Sequence, residues 1–206
     1  MILPWVSLFP GGLLPLRIFE ERYRLMLKDS LDNHRMFAIA HVDETLAGKF
    51  GMDWESIGTL GVLRACVTND DGTSNLILQG VVRVRFTNHG HEPYPEADIE
   101  ILRDSNDATE HIDRLRALIQ ARVQNPPDGK IVVPKGFADH LGAIESPASF
   151  ADMLSSTAIT NPVNRRLLLD ELDVTARLEL LSDFLLSGDE DWNTEPENLE
   201  AETGEE

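Results

Sequence analysis

Two hydrophobic periods divide this chain. As far as Leu102, apolar residues come in short runs or alternate with polar ones, the spacing of half-buried strands. Residues 5–8, 36–42 and 58–68 are such runs, and Asn69-Asp70-Asp71-Gly72 is a turn joining the last of them to residues 76–79. Val82, Val84 and Phe86 alternate with Arg83 and Arg85, which predicts one buried and one wet face. Residues 96–102 close the series with Ala97, Ile99 and Ile101 on one side. One helix interrupts it: Phe19, Tyr23, Met26, Leu27 and Leu31 fall on one face, with Glu21, Arg24, Lys28 and Asp29 mostly on the other. The turn Phe9-Pro10-Gly11-Gly12 leads into the apolar residues 13–16, which Pro15 marks as an edge or bulged strand. Many short strands around one inserted helix predict a small, partly closed barrel.

Residues 103–107 are polar and turn-rich and mark a boundary, after which the period becomes helical. Ile112, Leu115, Ile119 and Val123 share a face, and Asn125-Pro126-Pro127-Asp128-Gly129 ends that helix. Phe137, Leu141 and Ile144 predict a second. Ser146-Pro147 and Asn161-Pro162 each read as an N-cap followed by proline at the first helical position. Asp173 caps a last helix lined by Val174, Leu178, Leu181 and Leu185 and stopped by Gly188. The second half is therefore expected to be a helical bundle packed against the first.

Charge changes the picture less than its size implies. The formal charge is −18, but residues 189–206 carry nine acidic residues and no basic one, leaving 27 acidic against 18 basic, or −9, in the body. That tail has little to bury and is expected to be a disordered acidic segment. An acidic body argues against nucleic acid as a main partner, because such binding neutralises phosphates with basic side chains. Cys66 is the single cysteine, so no intramolecular disulfide or cysteine metal cluster is possible within the sequence. No apolar run reaches the roughly 20 residues that span a bilayer. The first basic residue is Arg17, prolines stand at positions 4, 10 and 15, and no small-residue cleavage site follows. A secretory signal is therefore not expected, and a soluble, cytoplasmic protein without membrane attachment is.

Several blocks in order resemble the Lon protease N-terminal, or substrate-binding, domain family. They are Phe9-Pro10-Gly11, Leu14-Pro15-Leu16 and Ile18-Phe19-Glu20-Glu21-Arg22-Tyr23, then Ile57-Gly58-Thr59, Asp71-Gly72, Leu78-Gln79-Gly80 and Arg83-Val84-Arg85-Phe86. Pro93-Tyr94, Ala97-Asp98-Ile99-Glu100 and Asp173-Val174-Thr175-Ala176-Arg177-Leu178-Glu179 continue the likeness, which covers residues 4–187. The resemblance implies an α+β fold: a PUA-like β pseudobarrel with one inserted helix over residues 1–104, then a C-terminal helical bundle over 105–188, with the tail at 189–206. It also implies noncovalent recognition of unfolded or apolar polypeptide segments, as an adaptor, a holdase or a regulator that engages a separate protease or chaperone. PUA-like folds also host small-ligand and RNA binding, the alternative reading. The sequence holds no Gly-x-x-x-x-Gly-Lys-Ser/Thr loop, and none of Lys28, Lys49, Lys130 and Lys135 sits in the family's protease motif. The recognition part is expected to stand alone, without the ATPase and protease modules.

Phe9, Leu14, Ile18, Phe19 and Tyr23 are the candidate contacts for an apolar segment, although the same spacing suits a core. Glu20 and Arg22 would orient a peptide or fix the helix start. Arg83 and Arg85 are candidate contacts for a carboxylate or an acidic stretch, including the tail, or else protect a strand edge. His89-Gly90-His91-Glu92 has the look of a metal site but no third ligand at sensible spacing. Cys66, between Ala65 and Val67 on an alternating strand, reads as a buried inert thiol. No Gly-x-Ser-x-Gly elbow or triad signature is present, and neither catalysis nor a cofactor is expected.

Overall fold

A computed structural model of the chain describes residues 1–42, 57–90, 92–105, 109–126 and 131–187. The acidic tail, Gly188, His91, and the Pro127, Asp128 and Gly129 of the helix stop lie outside the described residues. Six strands form one mixed sheet: β1 (Ile2–Pro4), β2 (Leu13–Ile18), β3 (Met36–Val42), β4 (Ile57–Thr68), β5 (Ser74–Gly90) and β6 (Glu96–Ile101). The order is β1-β3-β4-β5-β2, with β6 also pairing with β5. The pairing of β1 with β3 is parallel and the rest are antiparallel. Among the described residues the sheet does not close into a barrel.

β5 is the spine. Its first half pairs with β2 and its second half with β6, while β4 runs along its other side. The Phe9-Pro10-Gly11-Gly12 turn is clamped to it: the Gly11 N–H donates to the Gly80 carbonyl and the Gly80 N–H to the Gly12 carbonyl, both at 2.9 Å. A Cβ on Gly80 would stand 2.2 Å from the Phe9 carbonyl oxygen, so no other residue fits there. β2 is an edge strand, as Pro15 predicts. The inserted helix, α1 (Glu21–Asp32), buries Tyr23, Met26 and Leu27, and the Tyr23 hydroxyl bonds both the N–H and the carbonyl of Ile2. Phe19 was expected on that buried face. It precedes the helix, outside its periodicity, and is 64% exposed. The Arg22 and Glu20 side chains pair at 2.8 Å at the helix start.

Among the described residues five helices follow: α2 (Thr109–Gln124), α3 (Phe137–Gly142), α4 (Pro147–Ala158), α5 (Pro162–Asp170) and α6 (Val174–Ser187). The predicted caps are in place. The Ser146 hydroxyl accepts from the Ser149 N–H, the Asn161 side chain from Val163 and Asn164, and Asp173 from Ala176. Ile119, Leu141, Phe150, Leu154, Leu168, Leu178 and Leu181 form the helical core, and Phe9 is part of it although it comes from the sheet half. A second core, with Ile18, Tyr23, Met26, Ile39, Leu63 and Leu78, lies between the sheet and α1.

Buried charge joins the halves. Arg83 of β5 donates to both Asp152 oxygens at 2.8 and 2.6 Å and to the Leu169 carbonyl at 2.9 Å. Arg177 of α6 donates to Asp152 at 3.2 Å, to the Glu171 carbonyl and to Asp104. The side chains of Arg83, Asp152 and Arg177 are at most 3% exposed. This corrects the wet face expected for Arg83. Its side of β5 is covered by the helical half, a fact that strand alternation alone does not reveal. Arg165 extends the seam by donating to the Ser7 carbonyl, and Arg166 by donating to that of Ile57.

Removing Asp152 leaves two buried guanidinium groups without their shared carboxylate. Asp152→Ala is expected to lower unfolding stability by about 3–5 kcal/mol. Arg85→Ala breaks only an exposed pair with Glu100 and should cost less than about 1 kcal/mol. Urea denaturation of both variants checks the contrast.

Candidate functional site

An unclosed sheet leaves its concave face open, and here the opening is a cavity of about 730 Å3. It is bordered by β1 and β3 on one side, β6 on the other and α1 across one end. Met26, Met36, Phe37 and Phe86 supply apolar wall, and Tyr94 and Ile99 complete it. Unbranched methionines can refill around differently shaped groups.

β6 sets the character of this site. Ile99 lies opposite Phe86, and Ile101 opposite Val84, so these side chains share the concave face. Phe86 and Val84 are buried, but Ile99 is 41% and Ile101 60% exposed. Among the described residues β6 pairs with β5 alone. The Leu102 N–H bonds the Arg83 carbonyl, so with antiparallel alternation Glu100 and Asp98 also face their backbone groups toward β5. The N–H and C=O of Ile99 and Ile101 therefore point outward, toward the free edge.

Polar groups border the apolar wall. The Tyr94 hydroxyl donates to the Asp29 carboxylate of α1 at 2.8 Å and ties the segment before β6 to the helix. That bond to Asp29, with some desolvation, pushes the Tyr94 phenol up to about 12. Tyr23 is also raised, chiefly by burial. Burial, reinforced by Arg22, pushes the Met1 amino group down to about 5, and it donates to the Ala38 carbonyl at 2.7 Å.

None of the seven residues picked from the sequence lines this cavity. Phe9, Ile18 and Tyr23 are buried in the two cores, and Arg83 is enclosed by Asp152 and the α5 carbonyls, so these four have no surface to offer a peptide. Arg83 is likewise closed to the acidic tail. Leu14 is half-buried against the sheet core, Phe19 is exposed, and Arg85 is paired with Glu100 at 3.0 Å. The signal that would have found β6 was present: an apolar alternation, Ala97, Ile99 and Ile101, interleaved with Glu96, Asp98 and Glu100. No group of three His, Cys, Asp or Glu side chains among the described residues could hold a metal ion. Cys66 is half-buried on β4, less enclosed than its pattern predicts.

The model of the ATP-dependent protease La (LON) substrate-binding domain family matches residues 1–187. The Lon protease of Desulfosudis oleivorans is 26% identical over 179 residues, which cover 84% of this chain and 21% of that protein. The Lon protease of Dictyoglomus thermophilum is 22% identical over 178 residues, covering 86% of this chain and 22% of that protein. The chain thus spans about a fifth of the length of these curated relatives. In fold, it is similar to the N-terminal domain of Mycobacterium avium complex Lon protease, with a TM-score of 0.69 and 16% identity over 90% of this chain and 96% of that one. The Lon N-terminal domain protein from Xanthomonas campestris superposes with a TM-score of 0.61 at 21% identity, over 89% of this chain and 96% of that one.

The Tyr94–Asp29 contact has a measurable signature. The chain has two tyrosines, both raised above the ordinary value near 10. An alkaline absorbance titration should place Tyr94 at about 12, and Asp29→Asn should bring it down. Because the folded value is the higher one, the contact contributes fully below pH 10 and is lost as pH rises through about 12. A Tyr94 titrating near 10 in the unaltered chain would place its hydroxyl away from Asp29.

Proposed function

The chain belongs to the ATP-dependent protease La (LON) substrate-binding domain family, and on that premise we propose that it recognises polypeptide in the groove between α1, β3 and β6. The observation that carries this reading is the open cavity of about 730 Å3 beside a strand edge whose outward backbone groups have no partner among the described residues. An extended, unfolded segment can add a strand to β6 and set alternate apolar side chains against Ile99, Phe86 and the methionines. Main-chain bonds give affinity without demanding one sequence. A folded protein has its own edges and apolar groups already satisfied, which gives the discrimination.

Recognition is a binding step, and the 206 residues contain no nucleotide phosphate loop to drive unfolding. Work on what is bound falls to an ATPase or protease module, joined or separate, with this unit acting as an adaptor or a holdase. RNA is the weaker reading, since Asp29, Glu96 and Asp98 border the groove and repel phosphate.

Fluorescence anisotropy against a labelled, permanently unfolded polypeptide, with its folded counterpart as control, tests the proposal. Saturable binding of the unfolded form alone is expected. Ile99→Asp should weaken it about tenfold or more, the scale of losing one buried aliphatic contact. Phe19→Ser, away from the groove, should change affinity less than about twofold, the size of a neutral surface substitution. The opposite pattern would move the site to the exposed part of the Phe9–Tyr23 segment. Absence of binding to either form would remove the proposal.

A further inference from the structure

The groove and its strand edge are chemically one-sided. Three carboxylates, Asp29, Glu96 and Asp98, border the cavity, and no lysine or arginine lines it among the described residues. Along β6, Glu96, Asp98 and Glu100 occupy every second position, so they form an acidic row on one face while Ile99 and Ile101 stand on the other. Among the described residues Glu100 alone of the three pairs with a cation, Arg85, and Asp98 accepts a neutral bond from the Asn88 amide. We infer that this edge selects extended segments in which lysine or arginine alternates with apolar residues, bound as a strand added to β6.

The selectivity rests on the recognition reading above and adds its chemistry. A strand docked on the outward N–H and C=O groups of Ile99 and Ile101 has the same two-residue period as β6. Its apolar side chains then lie beside Ile99 and Ile101, and its alternate residues lie beside Glu96, Asp98 and Glu100. Opposite charges on neighbouring strands attract and like charges repel. The acidic body, −9 outside the tail, draws cationic segments toward the site as well. The chain's own residues 189–206, with nine acidic residues and no basic one, carry the wrong charge to occupy it.

The experiment uses the full chain and three labelled ten-residue peptides that share one apolar alternation and differ only in carrying lysine, glutamine or glutamate between. The permanently unfolded polypeptide is run as control. Anisotropy titrations should show the lysine peptide binding about tenfold or more tighter than the glutamate peptide, with glutamine between, and the gap should shrink as salt screens it. The double variant Glu96→Gln, Asp98→Asn should narrow the gap between the lysine and glutamate peptides. Ile99→Pro removes an outward N–H without touching the β5 bonds, and should weaken all three peptides together. Equal affinities for the lysine and glutamate peptides would overturn the selectivity and leave polypeptide recognition standing. Undiminished binding to Ile99→Pro would overturn strand addition, as would binding of the unfolded polypeptide with no peptide bound. If neither peptides nor unfolded polypeptide bind, the recognition reading falls and takes this inference with it.

Discussion

Asp152, held between two arginines, is the interaction on which the architecture depends. Arg83 comes from the spine of the sheet and Arg177 from the last helix, and both meet the same buried carboxylate. Desolvating three ionised groups is costly, and the cost is offset here because nearly every donor has a defined acceptor. Those acceptors include the Leu168, Leu169 and Glu171 carbonyls at the end of α5, where the helix dipole favours positive charge. Asp104 supplies the second negative charge and balances the cluster. A network this particular about partners sets the register of one half on the other in a way that apolar packing alone would not.

The network also determines which face of the sheet stays open. Arg83 alternates with Val84 along β5, so committing Arg83 to the helices turns Val84, Phe86 and their partners Ile101 and Ile99 to the opposite, concave side. Helix α1 covers one end of that side, and Tyr94 bonds to it through Asp29. What remains is a cavity bounded by a strand whose outward backbone groups have no partner among the described residues. The same burial that joins the two halves thus leaves an apolar groove facing water.

Much of this was legible from the chain. The change of period near residue 105, the edge position of the proline-bearing strand and three helix caps follow from local rules, because each depends on residues a few positions apart. The site was less legible for a physical reason. Apolar residues at regular spacing look alike whether they face a core or a groove, so Phe9, Ile18 and Tyr23 read as contacts and are core. Arg83 looked solvent-facing because alternation reports which residues share a face, and not what covers that face. Ile99 and Ile101 were placed on one side of their strand correctly, but their exposure depends on the sheet's failure to close, which only the three-dimensional path reveals.

Polypeptide is proposed to bind by pairing with the outer edge of β6. Amide hydrogen exchange of the full chain, followed residue by residue with and without saturating unfolded polypeptide, tests it most directly. Strand addition should leave the Ile99 and Ile101 amides, which point outward in the free chain, strongly protected, while their neighbours Asp98 and Glu100 change little. Protection confined to the β2 edge or to the surface around Phe19, with Ile99 and Ile101 exchanging as before, would contradict it.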